Sequence, residues 1–309
     1  QTIVATALPT IVGELGGLDY YSWVVTAYLL SSTVCTPLYG KLSDMYGRRA
    51  VLQTAVGVFL AGSVLAGVAQ TMPQLVTFRG VQGMGAAGLM TMTFAVIGDV
   101  VSPRQRGRYI GLLAGVWAFA SVIGPLIGGF LVDRASWRWV FLINLPIGLA
   151  ALVVISSVLH LPTVRRSHRI DVEGAVLLVI SVTSLLLLLV WGGTEYPWSS
   201  PMITGLALTG AVTAVAFVVW EARGAVEPIL PMRLFTNTMF SLCSAMGIVS
   251  GAALFGAVIF LPLFLQVAAG LSATNSGLLL LPLTAGIVTA SVGSGRIISH
   301  TGRYRVWPI

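Results

Sequence analysis

The residues best placed to do chemistry are a few charges and small residues set inside or beside long apolar runs. Arg79 stands within the run 75–97, with Gln82 one helical turn further on. A charge within a membrane span is costly and marks a functional site by default. The competing reading is that Arg79, a few residues from the end of its run, snorkels to the surface. A second group is Gly40, Asp44, Gly47, Arg48 and Arg49, packed into ten residues between two apolar runs. The glycines permit a tight turn. Asp44 can accept bonds from a helix N-terminus, and the arginines can pair with carboxylates or lipid phosphates. The plainer reading is a basic loop that fixes topology. Asp99 closes the run 75–97 on the same face as this loop. Asp44, Arg48 and Asp99 are therefore the charges expected to act together as a clamp, since an opposite charge within about 4–6 Å holds each group ionised.

A third group is small rather than charged. Gly124-Pro125-Leu126-Ile127-Gly128-Gly129, with Gly115 upstream, places glycines at i and i+4. That spacing lets backbones approach closely, and the proline removes one backbone bond and allows a bend. Tyr28, Phe94, Trp117 and Phe119 are candidate lining of a substrate cavity, against the plainer reading that span aromatics face lipid or neighbouring helices.

The elements that must position these residues are helices in lipid. The chain has 309 residues, 56% of them hydrophobic and 9% charged. Soluble proteins carry about 25% charged residues, so the solvent for most of this chain is lipid. Breaks at glycine, proline and charge give apolar segments at about 1–15, 21–39, 50–69, 75–97, 108–131, 139–160, 173–191, 202–220, 238–262 and 276–297. The first run reaches only about 22 Å as a helix, short of the roughly 30 Å of a hydrocarbon core, so its span is expected to begin before Gln1.

The net charge is +7, but nucleic acid is not the expected partner. The basic residues cluster in alternate loops near 45, 105, 167, 228 and 303. By the positive-inside rule those loops are cytoplasmic, and the loops near 72 and 196 are external. Trp23, Trp137, Trp139, Trp191 and Trp198 then fall near the outer boundary. Gly40 to Arg48 is echoed by Gly295-Arg296-Ile297-Ile298-Ser299-His300-Thr301-Gly302-Arg303, as expected of a transporter built from repeated bundles. The expected domains are a six-helix bundle at 1–160, a two-helix insertion with flanking loops at 161–234, and the start of a second bundle at 235–309. Cys35 and Cys243 lie in apolar runs without metal or redox spacing. No Walker or HExxH sequence is present, so no enzyme activity, cofactor or metal site is expected.

These motifs carry a resemblance. The 40–49 loop resembles the signature loop of the major facilitator superfamily. Arg79-Gly80-Val81-Gln82-Gly83-Met84-Gly85-Ala86-Ala87 is similar to its fourth-helix motif, and Gly115 with 124–129 to the fifth-helix motif of its antiporters. Residues 137–148, Thr2 to Pro9, and Leu261 to Gln266 through Pro282 resemble stretches of the fourteen-helix drug:H⁺ antiporter family. The resemblance implies an all-α membrane bundle with about ten of fourteen helices in this chain. It implies a proton-coupled exporter of drugs or other amphiphilic compounds, multi-pass in a bacterial cytoplasmic membrane and working by alternating access. It implies a proton-coupling role for Arg79, and a relay through Asp44, Arg48 and Asp99 that locks the cytoplasmic side. The acidic residue of the first-helix motif would precede Gln1; Glu14 and Asp133 are weaker candidates for its role. Expected partners are lipid, a small amphiphilic substrate and protons, with the protein acting as a monomer. An exporter of one endogenous metabolite or lipid, and an integral-membrane enzyme, stay open as alternatives.

Overall fold

The computed structural model describes residues 2–159, 171–225, 228–268, 279 and 281–301. A backbone in lipid must satisfy its own hydrogen bonds, and these residues do so as helices. In chain order they form α1 (Thr2–Leu15), α2 (Tyr21–Tyr46), α3 (Arg48–Gly67), α4 (Met72–Val100), α5 (Pro103–Arg134) and the short α6 (Trp139–Leu142). They continue as α7 (Asn144–Val158), α8 (Val172–Trp191), α9 (Pro201–Arg223), α10 (Thr238–Val267) and α11 (Leu281–Thr301). Among the described residues no strand occurs, only one bridge between Gly192 and Tyr196. Among the described residues five stretches are long and apolar enough to cross a membrane: α3, α4, α6 with α7, α8 and α9. The others follow the remaining apolar segments but carry charge within their length or are shorter as apolar helices.

Several ends differ from the sequence expectation. The loop expected at 40–49 is helical as far as Tyr46, and the turn reduces to Gly47 alone, with φ 87°. Ser43 Oγ donates to the Gly40 carbonyl at 2.7 Å, and Arg48 reaches back to Asp44, so side chains hold the last turn of α2 helical. Gly40 therefore serves no turn. The basic stretch at 104–108 is likewise the first turns of α5 rather than a loop. From there Arg106 donates through Nη2 to the Gly98 carbonyl at 2.6 Å and through Nε to the Val101 carbonyl at 3.2 Å, which satisfies carbonyls left open where α4 ends. The segment expected at 139–160 divides at Ile143. Pro146 has no N–H to offer the Leu142 carbonyl one turn back. Asp171 caps α8 by accepting from Gly174 N at 2.9 Å, and Ser200 caps α9 by accepting from Ile203 N at 3.3 Å.

The chain divides into two compact units. One comprises residues 1–10, 96–140 and 238–309, and the other 11–95 and 141–237. In the first, α5 and α11 pack along each other. They meet closely where a β-carbon on Gly295 would lie 2.9 Å from the Gly107 carbonyl carbon. In the second, α8 and α9 form a hairpin, α8 lies on α2, and α3 lies against α2 and α7. Val51, Leu52, Val56, Leu60 and Met92 make its apolar core, with Tyr39, Phe59, Leu152 and Ile155 packed on it. Trp191 stands at the far end of α8, edge-on to both Trp23 at 5.5 Å and Tyr196 at 5.8 Å. The 40–48 echo can be followed only in part. Gly302 and Arg303 lie outside the described residues, as does the basic loop at 161–170.

Candidate functional site

Helix α4 brings the polar centre of the second unit together. Arg79 and Gln82 are each 2% exposed, and Ser63 of α3 is fully buried. Arg79 Nε donates to the Val24 carbonyl of α2 at 3.1 Å, and Nη1 donates to Gln82 Oε1 at 2.6 Å. Gln82 Nε2 in turn donates to Ser63 Oγ at 2.7 Å, and Asn144 Nδ2 reaches the same hydroxyl at 3.4 Å. The guanidinium carbon lies 4.2 Å over the ring of Tyr28, a cation–π contact that contributes about 0.5–2 kcal/mol. Arg79 does not snorkel: its head is held inside the bundle.

The remaining nitrogen, Nη2, is buried with no acceptor among the described residues. Every partner of Arg79 there is neutral: a carbonyl, an amide and an aromatic ring. An unmade bond on a buried donor costs about 1–3 kcal/mol, and more on a charged group. The arrangement thus holds a fixed positive charge with one donor still to be used, and a carboxylate or other anionic oxygen would match it.

Glycines let this centre close. A β-carbon on Gly62 would sit 2.5 Å from the Gln82 backbone nitrogen, one on Gly85 would sit 2.5 Å from Phe59 Cα, and one on Gly83 would collide with Ser31 and the Tyr28 carbonyl. Gly80 faces open space. The fourth-helix motif therefore combines a charge and its amide partner with the small residues that bring α2 and α3 against it. Ser63 and Asn144 escaped the sequence reading. Their signal was available, because each is a polar residue flanked on both sides by apolar residues of its run.

The α2–α3 turn forms a different kind of site. Arg48 Nη1 pairs with Asp44 Oδ1 at 2.9 Å and also donates to Ser43 Oγ, while the two side chains keep 24% and 56% of their surface exposed. Arg49 Nη2 donates to the Ser156 carbonyl of α7 at 2.7 Å, and Gln53 Nε2 to Ser156 Oγ at 2.8 Å. Asp99 belongs to the other unit, where it is exposed near the end of α4. In that unit the fifth-helix motif meets the start of α1. A β-carbon on Gly128 would lie 2.9 Å from the Ile3 carbonyl oxygen, and one on Gly124 would lie 3.4 Å from Ile3 N and collide with Thr2 Oγ1. Gly129 faces open space. Gly115 and Pro125 lie in the same helix, and the side chain of Pro125 is outside the described residues. Of the four aromatics, Tyr28 sits under Arg79, whereas Phe94, Trp117 and Phe119 are exposed on their helices.

A charged centre buried among apolar helices that are capped and paired internally defines a multi-pass α-helical membrane protein. The sequence description of the Major Facilitator Superfamily matches residues 1–309, and the chain belongs to that family. It is 44% identical to an uncharacterized MFS-type transporter of Mycobacterium tuberculosis, over 100% of this chain and 45% of that protein. It is 41% identical to the multidrug transporter protein MdtP of Bacillus subtilis, over 97% of this chain and 56% of that protein. It is 40% identical to the efflux pump FUS6 of Gibberella moniliformis, over 99% of this chain and 56% of that protein. The chain thus spans about half the length of the curated relatives it matches. Among solved structures, the human organic anion transporter MFSD10 shares the fold with a TM-score of 0.55 at 19% identity, over 97% of this chain and 62% of that one.

Proposed function

We propose that the full-length protein is a proton-coupled exporter of amphiphilic small molecules in a bacterial cytoplasmic membrane. It would belong to the fourteen-helix antiporters, with six helices, a two-helix insertion and six more. The observation that carries this reading is Arg79, a buried guanidinium with neutral partners and one donor left. A carboxylate that binds Nη2 when ionised and leaves when protonated would link proton uptake to a change in packing around α4. The names of the bacterial and fungal relatives, which include a multidrug transporter and an efflux pump, support export over uptake. The basic starts of α3 and α5 and the end of α9 at Arg223 would face the cytoplasm. There the Asp44–Arg48 pair would hold the turn between α2 and α3. The glycine face of α5 would let α1 slide or bend without opening a leak, and exposed aromatics such as Phe94 would meet substrate.

Transport by the full-length protein in liposomes tests the proposal. A dye of the amphiphilic class should move against its gradient when a proton gradient is imposed, and should stop when an ionophore collapses it. Equal transport with and without the gradient would overturn proton coupling.

A further inference from the structure

The α8–α9 hairpin buries a second set of charged groups that the Arg79 centre does not use. Asp171 is 8% exposed and Glu221 5% exposed. Their four oxygens can be accounted for one at a time. Asp171 Oδ1 accepts from Gly174 N and from Trp220 Nε1, both at 2.9 Å. Glu221 Oε1 accepts from Ile229 N at 3.1 Å, and Oε2 accepts from Leu230 N at 3.0 Å. Asp171 Oδ2 is buried and receives no donor among the described residues. It is turned toward Glu221. A β-carbon on Gly174 would collide with Oδ2 and lie 2.9 Å from Glu221 Oε1, so the two carboxyl groups converge on the same glycine.

Ionised carboxylates only accept, so two of them cannot bond to each other. Buried on either side of Gly174, they would hold one proton between them, because like charges that close do not both ionise. We propose that Asp171 Oδ2 and Glu221 Oε1 form a proton-binding site that latches residues 228–231 onto the α8–α9 hairpin. With the proton present, every oxygen of the pair has a partner, and Glu221 keeps both amides. When it leaves, two negative charges face each other. Glu221 then swings away from Asp171, and Ile229 and Leu230 lose their acceptors. That segment leads into the turn at 232–236, so proton occupancy sets how firmly this end of the unit is tethered to the hairpin. The latch is complete at low pH and is lost once the shared proton leaves as pH rises.

The charges on the packed elements tune this without supplying it. Glu173 of α8, Arg223 of α9 and Arg233 of the turn are exposed. Lys41 of α2 lines an apolar groove with Val172, Ala175 and Ile229; as a nearby cation it favours the ionised pair and moves the transition toward lower pH. The glycine at 174 is needed for the same site, because any larger residue would separate the carboxyl groups.

The inference concerns a proton site remote from Arg79 and does not depend on export. Amide hydrogen exchange of the full-length protein, followed by mass spectrometry and corrected for the intrinsic pH dependence of exchange, tests it. From about pH 5 to about pH 9, peptides covering Ile229 and Leu230 should lose at least about tenfold in protection while α3 peptides stay unchanged. Asp171→Asn keeps the acceptor Oδ1 and supplies a permanent donor toward Glu221. It should keep the segment protected across the whole range. Wild-type protection that does not change with pH would overturn the proposal, as would Asp171→Asn losing protection at high pH as the wild type does.

Discussion

Two arginines of one compact unit sit in opposite circumstances. Arg48, at the α2–α3 turn, has a carboxylate four residues away and a hydroxyl beside it, and its side chain is partly exposed. Arg79 has no carboxylate among the described residues and is almost wholly buried. The motif around Arg48 is the more conspicuous in sequence, yet its ion pair contributes only about 0–1 kcal/mol, as exposed pairs do. Arg79 is held by helices α2, α3 and α4 together, and changing any of its partners leaves a charged donor unsatisfied in a dry site. A neutralised, exposed pair can act as a weak brake. A buried charge with an unused donor can act as a switch, because what binds it changes the local energy by several times more.

The largest expected effect comes from closing the space around the buried arginine. Gly62→Leu would drive a side chain into the Gln82 backbone, and overpacking of this kind costs about 1–3 kcal/mol or more. Folded protein recovered from membranes should fall sharply, while Gly80→Leu, which faces open space, should be recovered at wild-type levels. Equal recovery would show that the contact of α3 with α4 is not what holds the centre. Next in size is Gln82→Ala. It leaves Arg79 Nη1 without its acceptor and removes the Gln82 donor from Ser63 Oγ, so thermal unfolding should shift by the equivalent of about 1–3 kcal/mol. Gln82→Glu, which offers the guanidinium a permanent carboxylate, should raise stability and stop pH-driven export. That outcome would sharpen the contrast between a charge that is free to exchange partners and one that is already paired.

How far this contrast is legible in the sequence depends on what burial leaves behind. The helices follow from apolar length, and Arg79 with Gln82 follows from polarity at helical spacing in an apolar run. Ser63 and Asn144 obey the same signal but come from other helices, and spacing along one chain says nothing about contacts across helices. The α2–α3 loop was misread because glycine and charge also suit a helix end. Only Gly47 takes a conformation that requires glycine. Trp137, expected at an interface, is 1% exposed with Arg138 stacked on its ring at 4.4 Å. A tryptophan signals a boundary or a core equally well. Asp171 and Glu221 passed unnoticed because the 49 residues of the α8–α9 hairpin lie between them in sequence.

In the other unit, packing can be separated from charge altogether. Gly128→Ala should destabilise by about 1 kcal/mol against Ile3, whereas Gly129→Ala should be silent. Melting of the two variants in detergent distinguishes them. If they behave alike, the close approach of α5 to the start of α1 has no energetic weight. The smallest effect belongs to the exposed pair. Arg48→Ala and Asp44→Asn should each change stability by about 0–1 kcal/mol, and any loss of transport should exceed what that change explains. A large loss of folded protein in either variant would erase the contrast between the two arginines.

The most direct test is gradient-driven export by the full-length protein carrying Arg79→Ala, reconstituted in liposomes at the same folded amount as wild type. Losing a charge-assisted bond of about 1.5–3 kcal/mol corresponds to roughly tenfold to a hundredfold in rate. Export against a gradient should fall by that much, with Arg79→Lys recovering part of it because the charge stays while the planar fork is lost. Wild-type rates of proton-driven export in Arg79→Ala would contradict the account.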